Sequence, residues 1–129
     1  MSLPRAILAL TALAFLAFGA AFALQPGPMA GLIDIALPTA TARADFMATY
    51  GGFELGFGAF LLLCLRRPSW LEAGLWAGAL ALAGFAAVRL LGVLSGGPVR
   101  TPIWVALALE VTGALLNVWA LRQVRERTR

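Results

Sequence analysis

The sequence predicts an all-α integral membrane protein, a four-helix bundle with N and C termini cytoplasmic. Three observations carry that prediction: a large apolar excess, four apolar runs of similar length, and arginines gathered at the ends of those runs. Charged residues are 12% and apolar residues 61% of the 129, with a mean hydropathy of +0.89. A soluble domain carries about a quarter charged residues, so there is too little polar surface here to wrap a water-facing core.

The runs are Ala6 to Leu24, Phe46 to Leu65, Leu71 to Leu94 and Pro102 to Leu121. Each has about the 20 residues that a helix needs to cross a hydrocarbon layer of about 30 Å. In lipid every backbone amide must be paired within the chain, so these runs are expected to be helices, with Pro102 opening the last one where its missing N–H costs little. No alternating ten-residue strand pattern points to a barrel. The whole chain, 1–129, is expected to form a single transmembrane domain.

The first run also has features of a signal peptide: Arg5 ahead of it, and the small-residue pattern Ala21-Phe22-Ala23 near its end. Cleavage there would leave three helices. Its full spanning length, and the Leu24-Gln25-Pro26 that follows, favour retention as the first span.

Arginines outside the runs set the expected orientation. Arg5, Arg66, Arg67, Arg122, Arg125, Arg127 and Arg129 fall on one side, Arg43 and Arg100 on the other. Because basic loop residues stay on the cytoplasmic side, this places both termini in the cytoplasm and the protein in a bacterial inner membrane as a multi-pass chain. Trp70 and Trp119 then fall near the inner interface and Trp104 near the outer one. The net charge of +4 is a topology signal and not a nucleic-acid footprint, since the arginines form no stripe.

The connection from 25 to 45 is the one long loop. Pro26 and Pro28 open it, and Pro38 lies near its close. Its centre, Met29 to Leu37, is apolar apart from Asp34, and is expected to lie along the outer interface as a short helix or cap, or as a plain lipid-facing anchor.

Several chemistries are removed by composition. Without histidine there is no histidine metal site, bis-histidine haem or histidine acid–base catalyst. The lone Cys64 can form no internal disulfide and reads as a small buried hydrophobe. No cofactor and no metal is expected.

Three formal charges lie within the runs: Glu54, Arg89 and Glu110. Ionisable groups at membrane depth are costly unless they face the bundle interior and pair, so they mark a candidate site. At 1.5 Å per residue, Glu54 and Glu110 each lie roughly 12 Å inside the outer ends of their runs and Arg89 about five residues from Leu94, which puts all three in the outer half. The planar arginine fork suits carboxylates on two helices. Tyr50 stands one turn above Glu54, and Gly113 and Asn117 follow Glu110 along one stripe. Arg43 and Asp45 sit where the long loop enters the second run. Two carboxylates against one arginine leave an excess negative charge or a shared proton.

Two readings of this cluster stay open: an internal ion-pair network that fixes helix register, and a pocket for a small amphiphilic ligand or an ion. In the pocket, Arg89 would meet an anionic group, Glu54 and Glu110 would orient it, Tyr50 would supply a hydroxyl, Asn117 would extend the polar lining, and Arg43 would gate entry. Gly52 with Gly56, and Gly74 with Gly78, are spaced to admit a neighbouring helix, within the bundle or between protomers.

The stretch from Ala42 to Gly56, ARADFMATYGGFELG, followed by Arg89-Leu-Leu-Gly92 and Glu110, resembles the small bacterial four-helix membrane proteins grouped as domain-of-unknown-function family 4345, which lie loosely near the DoxX-like proteins. The resemblance covers nearly the whole chain. It implies the four-helix fold and no activity.

The expected function is therefore a non-enzymatic membrane protein that holds a small amphiphilic ligand or ion in an outer-half polar pocket, with the lipid bilayer as its constant partner and no nucleic acid. One alternative is a structural or assembly subunit that meets a second copy or another membrane protein through its glycine faces. Another is a proton-coupled carrier or membrane enzyme that uses the paired carboxylates, since without histidine carboxylate acid–base chemistry is what remains.

Overall fold

The structure, a computed structural model, describes residues 2–127. Four helical spans run Leu3–Leu24, Ala40–Arg66, Pro68–Ser95 and Thr101–Glu126, each long and apolar enough to cross a bilayer. No strand occurs among the described residues. The protein is a multi-pass helical membrane protein.

Prolines and caps set the element boundaries. Helix α1 (Leu3–Leu24) carries Pro4 in its first turn, where no intrahelical N–H is required, and stops at Gln25, which the following proline drives out of the helical region. Pro26 opens the short helix α2 (Pro26–Leu32), which ends just before Asp34, the one non-glycine residue with positive φ (58°) among those described. Asp34 suits that position because aspartate tolerates the left-handed region better than most residues. The Thr39 side chain then accepts a hydrogen bond from the Ala42 N–H at 3.1 Å and caps α3 (Ala40–Phe46).

Span 2 therefore starts at Ala40, six residues before the run read from sequence. The cap decides this: Thr39 behind Pro38 is a helix start that hydropathy does not register. The supposed loop 25–45 is correspondingly short, with α2 at its beginning and the first turns of span 2 at its end. At 27 residues, span 2 is about 40 Å long, more than a hydrocarbon layer of about 30 Å.

A π-helical turn, Met47–Gly52, continues α3 directly into α4 (Phe53–Arg66), with the Phe53 N–H reaching back to the Ala48 carbonyl. The extra residue rotates the helix faces on either side of it. Arg67, extended ahead of Pro68, breaks the chain, and a 3₁₀ turn (Pro68–Trp70) leads into α5 (Leu71–Ser95). A Gly96-Gly97-Pro98 link leads to α6 (Thr101–Arg127).

Helix α1 packs along span 2 and also against α6, and α6 packs along α5. The hydrophobic core lies at the end of the bundle that carries the chain termini: Ile7, Leu8, Ala12 and Phe15 of α1 meet Leu61 and Cys64 of α4, Leu75 of α5, and Ala120 and Leu121 of α6. At this terminal end Arg5 donates to the Leu65 carbonyl at 2.7 Å, one of the orphan acceptors at the end of α4, and Arg125 pairs with Glu72. At the opposite, loop end, Arg100 bonds both Asp34 (2.8 Å) and the Gly31 carbonyl (3.0 Å), which ties α2 to the start of α6. Arg129 and the side chain of Arg127, both counted in the arginine asymmetry, lie outside the described residues.

Close helix contact is made by Gly19, Gly51, Gly58, Gly74 and Gly78. A Cβ on Gly51 would lie 2.9 Å from the backbone of Ala23, and one on Gly74 would lie 2.6 Å from the Cβ of Cys64. The Gly74 and Gly78 face packs as its spacing suggests. The Gly52 and Gly56 face meets no helix of its own bundle: Gly56 has nothing within 4 Å, and α1 meets Gly51 and Gly58 instead. A uniform helical repeat cannot be carried through a π turn, and sequence spacing alone does not reveal one.

Gly74→Val is expected to lower stability by about 1–3 kcal/mol through overpacking, whereas Gly56→Ala stays within about 0.5 kcal/mol of the parent, as for an exposed position. Unfolding of the purified protein in mixed micelles with increasing dodecyl sulfate reads both changes. Equal sensitivity at the two positions would contradict this packing register.

Candidate functional site

Of the three charges within the spans, two are joined directly. Arg89 of α5 grips Glu110 of α6 edge-on: its Nε–H lies 2.9 and 3.0 Å from the two carboxylate oxygens, and its Nη2 donates to Oε1 at 2.6 Å. The bond fixes both residues at one depth. Glu110 is the more buried partner, with 11% of its side chain exposed against 28% for Arg89. The contact shows that both lie on faces that α5 and α6 turn toward each other, and the planar fork makes the pairing directional.

Glu54 stands apart from that fork. It lies on span 2, two residues past the π turn, and its Oε2 is buried without a hydrogen-bond partner. It remains within electrostatic reach of both Arg89 and Glu110. Span 2 and α5 are in contact at the terminal end, where Gly74 rests on Cys64, but part toward the loop end. Between them lies a recess of about 460 Å³ lined by Thr49, Tyr50, Phe53, Glu54 and Phe85. Phe53 (58% exposed) and Phe85 (39%) stand at its surface, so it opens sideways from the bundle.

Tyr50, one turn from Glu54, forms part of this wall. Its ring leans on Phe46 and Phe22, with centroids 4.7 and 5.5 Å away, so α1 and α3 hold it in place. Arg43 is exposed on α3, two turns beyond Tyr50 and outside the recess. Asn117 is not brought to the site. It lies fully buried in the core, donating to the Thr11 hydroxyl at 2.9 Å and the Gly113 carbonyl at 2.8 Å, with its oxygen packed on Gly78. The stripe from Glu110 to Asn117 is continuous in sequence, but two helical turns carry it about 10 Å toward the terminal end, into the contact with α1.

Sequence reasoning missed the aromatic half of the site. Within an apolar run Phe53 and Phe85 look like any lipid-facing aromatic, although the neighbours Phe53 and Glu54 hint at a polar and aromatic surface together. The π turn had one sequence signal, Gly51-Gly52 within an otherwise continuous apolar helix. Such bulges occur often beside functional groups.

Chemically, the arrangement offers a satisfied arginine–carboxylate pair, a second carboxylate with an unused acceptor, two hydroxyls and three aromatic rings. This set is suited to binding an amphiphile. Among the lining residues there is no thiol or imidazole.

Arg89→Met leaves Glu110 without its partner and is expected to cost about 2 kcal/mol, the scale for stranding a buried charged acceptor. The double variant Arg89→Met with Glu110→Leu removes both partners and is expected to recover most of that loss. Unfolding of the two variants in mixed micelles measures this, and strictly additive losses would show that the pair is not coupled.

The family model described as Domain of unknown function (DUF4345) matches residues 3–121. No curated protein and no solved structure matches the chain, and the looser likeness to DoxX-like proteins gains no support. The match spans all four helices and includes Glu54, Arg89 and Glu110; the chain belongs to the DUF4345 family.

Proposed function

We propose that this is a non-enzymatic protein of the bacterial inner membrane, with both termini cytoplasmic, that binds a small amphiphilic molecule in the recess between span 2 and α5. The carrying observation is the recess itself: aromatic walls, lateral opening, and among its lining residues a carboxylate, Glu54, that no group among the described residues hydrogen-bonds. A carboxylate without a hydrogen-bond partner between two apolar spans is costly unless a polar or charged group meets it. The arginine asymmetry supports a recess in the outer half of the bilayer.

The roles differ from those suggested by charge positions alone. With Arg89 held by Glu110, the pair braces α5 against α6 and sets the back of the site, while Glu54 meets the polar part of the ligand. Tyr50, Phe53 and Phe85 hold its apolar body, and Thr49 offers a hydroxyl. Arg43 lies on α3, outside the recess, and takes no part in holding the ligand.

Retention of a neutral fluorescent amphiphile, N-phenyl-1-naphthylamine, by protein in lipid nanodiscs tests this reading. Saturable binding is expected in the parent and its loss in Thr49→Trp, which fills the recess with an indole. Retention unchanged in Thr49→Trp, and also in Glu54→Gln, would reject the recess as the binding site.

A further inference from the structure

Building on the recess as a binding site, we infer that its natural class of ligand is a lipophilic cation: a positively charged head held against Glu54, with an apolar body against Tyr50, Phe53 and Phe85.

Charge balance is the first ground. Glu54, Arg89 and Glu110 sum to one negative charge, and the single positive group is engaged by Glu110 through its Nε and Nη2. Glu54 is the remainder, with a buried oxygen that accepts no hydrogen bond. An uncompensated carboxylate at membrane depth needs a counter-charge, supplied by a proton or by a cation. A cationic head brings the site to neutrality, whereas an anionic head adds repulsion.

The walls supply the second ground. Three of the five lining residues are aromatic, and ring faces attract cations, most strongly where water is excluded. The other lining groups are the carboxylate and two hydroxyls, so no lining residue offers a charged donor to an anion. A bare metal ion is also a poor match. Hard divalent cations take about six or more oxygen ligands, and one carboxylate with two hydroxyls falls well short, while the volume of about 460 Å³ suits an organic molecule.

Access gives the third ground. The recess opens sideways past Phe53 and Phe85 and lies between two apolar spans, so its occupant arrives from within the bilayer. Only a cation with a substantial apolar body partitions there.

The test compares three probes on the purified full chain in nanodiscs by equilibrium dialysis: tetraphenylphosphonium, its size-matched anion tetraphenylborate, and neutral N-phenyl-1-naphthylamine. The cation is expected to bind saturably at one site and to displace the neutral probe. Glu54→Gln is expected to weaken it by about tenfold or more, Glu54→Asp to retain part of the affinity, and Thr49→Trp to abolish it. Thermal unfolding of each variant confirms that its fold is intact, and the aspartate variant keeps the test decisive should the glutamine variant fold poorly. Tetraphenylborate is expected to show no saturable site. Cation binding that is absent, or equal in parent, Glu54→Gln and Glu54→Asp, while the neutral probe remains sensitive to Thr49→Trp, would overturn the inference and leave the recess standing. Failure of all three probes to bind in a manner sensitive to Thr49→Trp would overturn both.

Discussion

Hydrocarbon offers no hydrogen bonds, and that constraint governs where this chain puts each polar group between the ends of its helices. Thr11 turns its hydroxyl back onto the Ile7 carbonyl and takes a hydrogen bond from Asn117, which also bonds Gly113 on its own helix. Arg89 and Glu110 satisfy each other through a fork that leaves little of the carboxylate exposed. Two buried side-chain atoms among the described residues lack a partner, and their surroundings differ. The Asn117 oxygen is packed against Gly78 inside the core, whereas Glu54 borders an open recess.

The same constraint divides the bundle into two ends. At the terminal end, glycines and alanines bring the four spans close enough for Leu8, Leu61 and Leu75 to be fully enclosed. Toward the loop end the pairs separate: α1 stays on span 2 through Gly19 and Gly51, α5 stays on α6 through Arg89 and Glu110, and the seam between span 2 and α5 opens. The π turn lies on that seam. It lets Gly51 face α1 while Tyr50, Phe53 and Glu54 face the gap, an allocation that an unbroken α-helix would make only with different residue spacing.

Much of this architecture is legible in the residues themselves. Twenty-residue apolar runs bounded by Pro26, Pro68 and Pro98 are readable because bilayer thickness and proline chemistry are insensitive to context. Arg89 and Glu110 are readable because charge at that depth requires a partner. The start of span 2 was displaced because Thr39 acts through a local side-chain cap that hydropathy does not weigh. The place of Asn117 in the core is not legible in the same way: periodicity fixes a face only relative to its own helix, and which neighbour that face meets depends on crossing angles. Glu54 is legible as a charge within an apolar run, but its separation from the arginine fork depends on a gap that no single helix encodes.

The central claim is that the Arg89 fork belongs to Glu110, and that Glu54 is thereby left to a guest in the recess. An experimental density map of the protein in native-lipid nanodiscs tests it most directly. The account predicts the Arg89–Glu110 fork intact, with separate density against Glu54 between Tyr50, Phe53 and Phe85. A map with the Arg89 guanidinium bridging Glu54 and Glu110, and span 2 closed onto α5 over an empty seam, would contradict it.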